Sequence, residues 1–488
     1  MPQRRRASPA ATATDCMHGD PAHLARDVNG NSCRGGPMSA KPIQTVKGWP
    51  VLGSIMHYKR DALSLFLNAA RDLGDVSAIM MGPTRVVLVN SPQHVAEILQ
   101  DRTDAFGRSP SYRELELLLG AGMLTTEGAQ WKAQRAQAQP AFQKKQLTSM
   151  IPTIREKIDQ VVGEWMPAGQ TGLRRRDLFA DMLDMSMRIT LRTLFGQVHE
   201  LAHRKMITAL EDGSRYVIQR LEGIVNLPPH WPTPSAKEFW KNRAVLDASV
   251  LDIIRQYQRG TQPPNLLGMV LEGDGPQDEE NIKNQLLTLF ITSYETVATG
   301  MTWVFHFLSQ HPRWYQAVVE ELERYDELGY DDIFSLTTTN AVIHESLRLM
   351  PPIWSFSRTA KRDVTIDGYP IAAGTMVVVS PYCLQRHPSH WDDPDTFNPA
   401  RWTAGSSTSK RVSAFLPFGT GPRICVGMNY AMMLLPLILK GACRRGTFSL
   451  DSAHPVRIKA GVTIRPVGGL MGHWTSHERL LEQKGIAT

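Results

Sequence analysis

The sequence predicts a mainly α-helical fold with small β-sheets, and three observations lead to this fold class. Residues 280–310 are apolar nearly all round from Leu286 to Leu308, which is typical of a long helix buried through the middle of a protein. Residues 147–270 contain several helical segments, divided by a Pro-rich break at residues 227–232. Strand signals are confined to short runs, so the sheets should be minor.

The chain begins with a segment that lacks hydrophobic periodicity, and we interpret residues 1–44 as a disordered extension. Cys16, His18, His23 and Cys33 have metal-binding side chains, but their spacing matches no common zinc pattern. The folded region is predicted to span residues 45–475, followed by a tail at 476–488.

The first folded elements are predicted to be a helix, a β-hairpin and a second helix. An amphipathic pattern covers Asp61 to Leu73. Alternating runs at 76–81 and 86–89 are split by Gly82-Pro83, which predicts a hairpin. Ser91-Pro92 then begins a helix that ends near Leu99.

Residues 415–431 are the most informative stretch, because a turn-rich run leads to Cys425 and then to an apolar, helical segment. Glycines in such a loop let the backbone approach a bulky planar partner. A thiolate just before a helix is stabilised by amide N–H groups and by the helix dipole, and Arg423 adds a cation. Cys425 alone fits two roles, a buried structural cysteine or an axial ligand of haem iron.

The full pattern Phe418-x-x-Gly421-x-Arg423-x-Cys425-x-Gly427 resembles the haem-binding signature of the cytochrome P450 family. Ala431 also matches this signature. The resemblance implies one large helical domain, the cytochrome P450 fold, which encloses a buried haem b ligated by Cys425.

Trp131 and Arg135 lie four residues apart on a predicted helix, so they share a face. A solvated Arg beside a packed Trp is the simpler account. The resemblance instead implies that both hold a haem propionate, to which the indole N–H and the guanidinium are suitable donors. By the same resemblance, Arg358 is a second propionate partner.

Glu295 and Thr296 interrupt the long apolar helix, and burying an unpaired acid there would be costly. A satisfied buried hydrogen bond is one explanation. The segment also resembles the family's oxygen-activation motif, which implies that Thr296 holds dioxygen and Glu295 relays protons. It departs from that motif in having Thr292-Ser293 where the family has a small pair and Val297 where it has a second hydroxyl.

Glu345 and Arg348 lie three apart on one predicted helical face, which alone is a common surface ion pair. With the later Arg401-Trp402 segment they resemble the family's Glu-x-x-Arg helix and the loop that follows it. The resemblance implies that Glu345, Arg348 and Arg401 form a buried network that supports the haem-binding loop.

The predicted substrate pocket is apolar, and its residues are assigned from the regions that lie over the haem in the family. Its candidate residues are Leu117, Leu118, Ile291, Ser293, Ile353 and Thr463.

The resemblance implies a haem-thiolate monooxygenase that hydroxylates or epoxidises a hydrophobic small molecule, such as a terpenoid, fatty acid or polyketide. Two electrons would come from a separate ferredoxin or flavodoxin. Basic residues near the cysteine side suit an acidic partner of this kind: Lys132, Lys144, Lys440, Arg444 and Arg445. A peroxide-driven enzyme and a non-catalytic haem-thiolate sensor are the alternatives, and the acid–alcohol pair argues against both.

Charge and cysteine content limit the other functional classes. The net charge of +7 is not accompanied by a nucleic-acid-binding motif, so no nucleic-acid partner is expected. The five cysteines are irregularly spaced and imply no disulfide framework. No run of 18 or more apolar residues occurs, so we expect a soluble, cytoplasmic bacterial protein without a transmembrane segment.

Overall fold

A computed structural model describes residues 40–100, 104–165, 174–196, 200–223, 226–260, 266–272, 278–403 and 413–476, with the backbone alone at 200–204. Helices dominate this part of the chain, which confirms the predicted mainly helical class. The described helices are α1 (Ile55–Asp72), α2 (Pro92–Leu99), α3 (Ser111–Leu119), α4 (Gly128–Ala138), α5 (Lys144–Trp165), α6 (Leu178–Phe195), α7 (Glu200–Glu222), α8 (Pro234–Arg259), α9 (Leu266–Glu272), α10 (Glu279–Gln310), α11 (Pro312–Glu323), α12 (Tyr330–Ser335), α13 (Thr337–Leu349), α14 (Pro381–Leu384) and α15 (Met428–Cys443).

The strands are short and form four small sheets within the described ranges. They are β1 (Gln44–Thr45), β2 (Val76–Met81), β3 (Thr84–Val89), β4 (Phe106–Arg108), β5 (Arg174–Asp177), β6 (Phe356–Ala360), β7 (Val364–Ile366), β8 (Tyr369–Ile371), β9 (Met376–Val379), β10 (Gly446–Leu450), β11 (Ile458–Ala460), β12 (Ile464–Pro466) and β13 (Met471–Ser476).

The largest sheet has the order β1-β2-β3-β9-β6-β4, and the other sheets are β10-β13-β5, β11-β12 and β7-β8. The predicted hairpin is the β2–β3 pair of the largest sheet, with Val76 opposite Val89. At the far edge, β4 pairs with β6 and places Arg108 opposite Arg358. This pairing brings two arginines from distant parts of the chain to the same sheet edge.

Helix α10 is the buried centre of the fold and packs against α6, α13 and α15. The Asp278 side chain accepts a hydrogen bond from the Asn281 N–H at 2.8 Å and so caps its first turn. The helix ends at Gln310 because Pro312 disfavours helical backbone at the residue before it. The prediction of one long helix over 280–310 is thus confirmed.

Helix α1 begins at Ile55, earlier than the predicted start at Asp61. Asp61 has non-helical backbone angles and kinks the helix. Its carboxylate accepts hydrogen bonds from the Ser64 N–H at 3.0 Å and the Ser64 hydroxyl at 2.6 Å. Asp61 is therefore the N-cap of the second of two helical segments that meet at this kink, and the predicted helix that begins at Asp61 is confirmed as that segment.

The region from Lys41 onward forms one compact unit. The predicted extension at 1–44 lies outside the described residues except for residues 40–44, where β1 begins at Gln44. Its four metal-binding side chains at positions 16, 18, 23 and 33, and the predicted tail beyond Ser476, also lie outside. Within the described ranges, none of the helices has both the length and the apolar character needed to cross a membrane.

Candidate active site

The candidate site is a cavity of about 800 Å³ between α10 and the loop that carries Cys425. Its size lies within the range of ~300–1,000 Å³ that is usual for small-molecule sites. The following predicted site residues line it: Trp131, Arg135, Ile291, Ser293, Glu295, Thr296, Ile353, Arg358, Phe418, Arg423, Cys425, Gly427, Thr463 and Leu118. Leu117, also predicted, is not among the residues that line it, and Arg243 of α8 donates to its carbonyl at 2.7 Å.

The cysteine loop is held in shape by its own backbone. The Cys425 N–H donates to the Phe418 carbonyl at 3.0 Å. Gly421 has a φ of +74°, and a Cβ at this position would lie 2.2 Å from the Leu99 carbonyl oxygen. Only glycine therefore fits here. The loop leads directly into α15 and exposes the Cys425 sulfur to the cavity.

Cys425 is enclosed by protein, although its side chain has surface that faces the cavity. Burial raises the pKa of the Cys425 thiol, while the Gly427 N–H and the charge of Arg135 act in the opposite direction. The arginine whose charge acts on the Cys425 thiol in this way is Arg135, while the predicted cation, Arg423, lines the same cavity. Arg135 also donates to the Ile424 carbonyl at 2.7 Å. An anionic sulfur here needs further positive charge from the cavity side, which a metal ion would supply.

A cluster of buried guanidinium groups forms another wall of the cavity. The Arg423 guanidinium lies 4.3 Å from the centre of the Trp131 ring and donates to the Thr126 carbonyl at 3.0 Å. Burial, together with the charges of Arg108 and Arg358, lowers the pKa of Arg423 to about 9. Like charges gathered in a low-dielectric site are unfavourable unless an anion compensates them.

This cluster fits the carboxylates of a haem. Arg108 Nε and Arg423 Nη1 are buried donors without a hydrogen-bond partner in the described part of the chain. Buried donors of this kind are normally satisfied, and a planar guanidinium matches a carboxylate. With the Cys425 sulfur also open to the cavity, the residues present suit an iron porphyrin that carries two propionates.

Sequence reasoning missed Arg108 and its neighbour Tyr112. The Arg108 guanidinium lies 4.2 Å from the centre of the Tyr112 ring. Burial lowers the pKa of Arg108, and the charge of Arg358 adds to this effect. The β4–β6 pairing places Arg108 in the cluster, and a three-residue strand is too short to produce a clear periodic signal.

The acid–alcohol pair lies on the cavity side of α10. The Thr296 hydroxyl donates to the Thr292 carbonyl at 2.8 Å. Glu295 is half-buried, and its Oε1 accepts a hydrogen bond from the Thr463 hydroxyl at 2.6 Å. The Thr292 hydroxyl donates back to the Thr288 carbonyl at 2.6 Å, so this departure from the family motif keeps its polar group within the helix backbone.

The predicted supporting network is assembled around the Glu345 carboxylate, which is fully buried. Arg348 donates to both of its oxygens at 2.9 Å, and Arg401 donates to Oε1 at 2.9 Å. The Asn398 N–H and the Trp402 indole N–H each donate to it at 2.8 Å. The network is thus complete in hydrogen bonds, and Trp402 is a member that the sequence did not indicate.

Gln385 connects this network to the cysteine loop and was also missed. Its amide N–H₂ group donates to the Leu347 and Arg348 carbonyls at 3.0 and 2.9 Å. Its carbonyl oxygen accepts from the Leu416 N–H, at the start of the loop, at 2.8 Å. The position of the loop therefore depends on the end of α13.

Two of the basic residues predicted to receive an acidic partner are already engaged. Lys440 is buried and donates to the Leu322 carbonyl at 2.8 Å and to the Tyr325 carbonyl, so its predicted surface role is wrong. Lys144 forms an ion pair with Asp331 at 2.6 Å. The other three predicted cations are exposed: Lys132, Arg444 and Arg445.

Comparisons with known proteins agree with this geometry. The family model for cytochrome P450 matches residues 43–466. The chain is 30% identical to pentalenene oxygenase of Streptomyces avermitilis, with 86% of this chain and 92% of that protein covered. It is 28% identical to cyclooctat-9-en-7-ol 5-monooxygenase of Streptomyces melanosporofaciens, with 80% and 86% covered. The crystal structure of the cytochrome P450DA heme domain superposes with a TM-score of 0.80 at 22% identity, covering 90% of this chain and 99% of that one.

Proposed function

Because this chain belongs to the cytochrome P450 family, we propose that Cys425 is the axial thiolate ligand of haem b. The protein is a haem-thiolate monooxygenase with a hydrophobic substrate and a redox partner. The observation that carries the proposal is the position of the Cys425 sulfur. It is open to a cavity whose other wall holds guanidinium donors that find no hydrogen-bond partner among the described residues.

The chain's own residues have distinct parts in the proposed reaction. Thiolate-ligated haem supplies the chemistry that cleaves dioxygen and inserts one of its oxygen atoms into a substrate C–H bond. Arg108, Arg358 and Arg423, together with the predicted Trp131 and Arg135, would hold and orient the two propionates of the haem. Thr296 Oγ1 positions dioxygen, and the Glu295 carboxylate carries protons toward it from solvent. One C–H bond becomes C–OH, and two electrons and two protons convert the second oxygen atom to water.

The proposed substrate is a terpenoid, for which two features give support. The cavity walls are predominantly apolar, with Leu115, Leu119 and Val217 among them, so they exclude water and favour a hydrocarbon. The two Streptomyces relatives are named for the oxidation of terpenoid compounds. The proposed electron donor is a ferredoxin or a flavodoxin, and the exposed Lys132, Arg444 and Arg445 offer it a basic surface. The expected cytoplasmic location remains a prediction.

The first test is the absorption spectrum of the dithionite-reduced protein under carbon monoxide. We expect a strongly red-shifted Soret band, which reports thiolate ligation of the haem. Cys425→His should give the unshifted band, and Cys383→Ser, which changes a cysteine buried elsewhere, should keep the shifted one. If Cys425→His gave the wild-type spectrum, the proposed ligand would be wrong.

The second test is turnover of pentalenene with NADPH, a ferredoxin and its reductase under oxygen-18 gas. One labelled oxygen atom in the product supports the monooxygenase and its terpenoid substrate. Product formed only with hydrogen peroxide supports the peroxide-driven alternative. Haem binding without consumption of NADPH or peroxide supports the sensor alternative. Turnover of a fatty acid but not of terpenes would overturn the substrate class alone.

A further inference from the structure

Glu295 has one polar side-chain partner in the described part of the chain, and that partner lies outside its own helix. The Thr463 hydroxyl donates to Glu295 Oε1 at 2.6 Å. Thr463 is only 2% exposed and stands between β11 and β12, in the turn that lines the cavity opposite α10. Glu295 is thus hydrogen-bonded to a residue in the wall of the substrate cavity.

The turn that carries Thr463 is fixed on both sides. The Gly461 N–H donates to the Thr463 carbonyl at 3.0 Å, which closes the turn. The Trp354 indole N–H donates to the Gly461 carbonyl at 2.8 Å. The Trp303 indole N–H, from α10 itself, donates to the Ile464 carbonyl at 2.8 Å. These bonds fix the Thr463 hydroxyl relative to α10, so it is the flexible Glu295 side chain that is oriented by the contact.

We propose that Thr463 is a positioning residue that holds the Glu295 carboxylate in the orientation needed for proton transfer toward Thr296. This inference rests on the proposed function of the site. A hydrogen bond to a charged acceptor favours one orientation by roughly tenfold or more, because it is stronger than a bond between neutral groups. Without the hydroxyl, the carboxylate is free to turn away, and protons reach the reaction more slowly.

Slow proton transfer changes the products of oxygen reduction, which can be measured with dioxygen alone and no organic substrate. Two electrons and two protons convert dioxygen to hydrogen peroxide. Four electrons and four protons convert it to two water molecules. The electrons come from NADPH through a ferredoxin and its reductase. The ratio of peroxide to water, obtained from peroxide formed and NADPH consumed, therefore reports proton supply.

Thr463→Val keeps the shape of the side chain and removes the donor, whereas Thr463→Ser keeps the donor. We expect Thr463→Val to raise the peroxide-to-water ratio roughly tenfold and Thr463→Ser to restore it to near the wild-type value. The matched control is Thr302→Val, which changes a fully buried threonine of α10 whose hydroxyl donates within the helix to the Ala298 carbonyl at 2.8 Å. This control should leave the ratio unchanged.

Crystal structures of the variants give a readout that does not depend on turnover. The Glu295 carboxylate should contact residue 463 in the wild type and in Thr463→Ser, and should move in Thr463→Val. An unmoved carboxylate with an unchanged ratio in Thr463→Val would overturn the inference, as would an equal change in Thr463→Ser. If the wild type lacks the red-shifted carbon monoxide band and consumes no NADPH, the proposed function fails, while the structures still decide whether Thr463 orients Glu295.

Discussion

The Trp402 indole makes a specific contribution to the Glu345 network, and Trp402→Phe isolates it. The substitution keeps an aromatic ring beside Phe415, whose ring centre lies 4.6 Å from that of Trp402, but removes the N–H that donates to Glu345 Oε2 at 2.8 Å. A hydrogen bond to a charged group contributes about 1.5–3 kcal/mol. Since Glu345 retains its bonds to Arg348, Arg401 and Asn398, we expect a loss of about 2 kcal/mol in the free energy of unfolding.

The assay is equilibrium urea unfolding of the haem-loaded protein followed by far-ultraviolet circular dichroism. The matched control is Trp240→Phe, because the Trp240 indole N–H also donates a hydrogen bond, to the Pro229 carbonyl at 2.9 Å, but at an exposed site with a neutral acceptor. This control should cost less than about 1 kcal/mol.

Glu345→Gln gives the upper reference for the same network. It leaves two buried arginines without their anion, and breaking a buried ion pair in this way costs about 3–5 kcal/mol. If Trp402→Phe cost no more than Trp240→Phe while Glu345→Gln had its full effect, the indole bond would be dispensable and our reasoning about Trp402 would be refuted.

Three further predictions concern pH, haem retention and the cysteine loop. Burial tends to raise the pKa of Glu345, but its bonds to Arg348 and the charges of both arginines hold that pKa below the usual value. The stability that the ionised Glu345 contributes should therefore be present above about pH 4.3 and be lost as the pH falls further. In Glu345→Gln, the urea midpoint should fall less over the same pH range. Arg108→Gln should weaken haem binding roughly tenfold, measured as haem per chain after gel filtration, whereas the exposed Arg113→Gln should not. Gln385→Leu removes three hydrogen bonds, so urea unfolding should show a loss of about 3 kcal/mol in the free energy of unfolding. A larger share of the protein should also give the unshifted carbon monoxide band. A wild-type midpoint and spectrum would contradict the link between Gln385 and the cysteine loop.

The sequence predicted those parts of the fold that depend on local patterns. The β2–β3 hairpin has two short apolar runs with a Gly-Pro break between them, and α10 has a long apolar run, so each is visible in a short window. The Cys425 loop is likewise a contiguous string with glycines at fixed positions. Its close approach to the Leu99 carbonyl gives a physical reason for one of these glycines, which the string alone did not reveal.

The missed residues depend on contacts between distant segments. Arg108 reaches the guanidinium cluster only because β4 pairs with β6, and Gln385 reaches Leu416 only because α14 lies beside the end of α13. Lys440 misled the prediction because a basic residue near the end of a helix is usually exposed. Here it satisfies carbonyl groups at the end of α11 and just beyond it, which is a tertiary role.

The cavity buries both positive and negative groups of the chain, and haem binding would compensate both. The charges of Arg108 and Arg358 act unfavourably on Arg423 and are only partly offset by Glu127, and two donors of the cluster lack a hydrogen-bond partner within the described residues. Burial likewise disfavours an anionic sulfur at Cys425. Haem has two carboxylates at one edge and an iron cation at its centre, so it would compensate both the arginine cluster and the Cys425 sulfur. Binding at a thousandfold excess over Kd adds about 4 kcal/mol to stability, which is comparable to the loss expected from breaking the Glu345 network. The features that make the cavity a catalytic site are therefore also those that make haem binding part of folding.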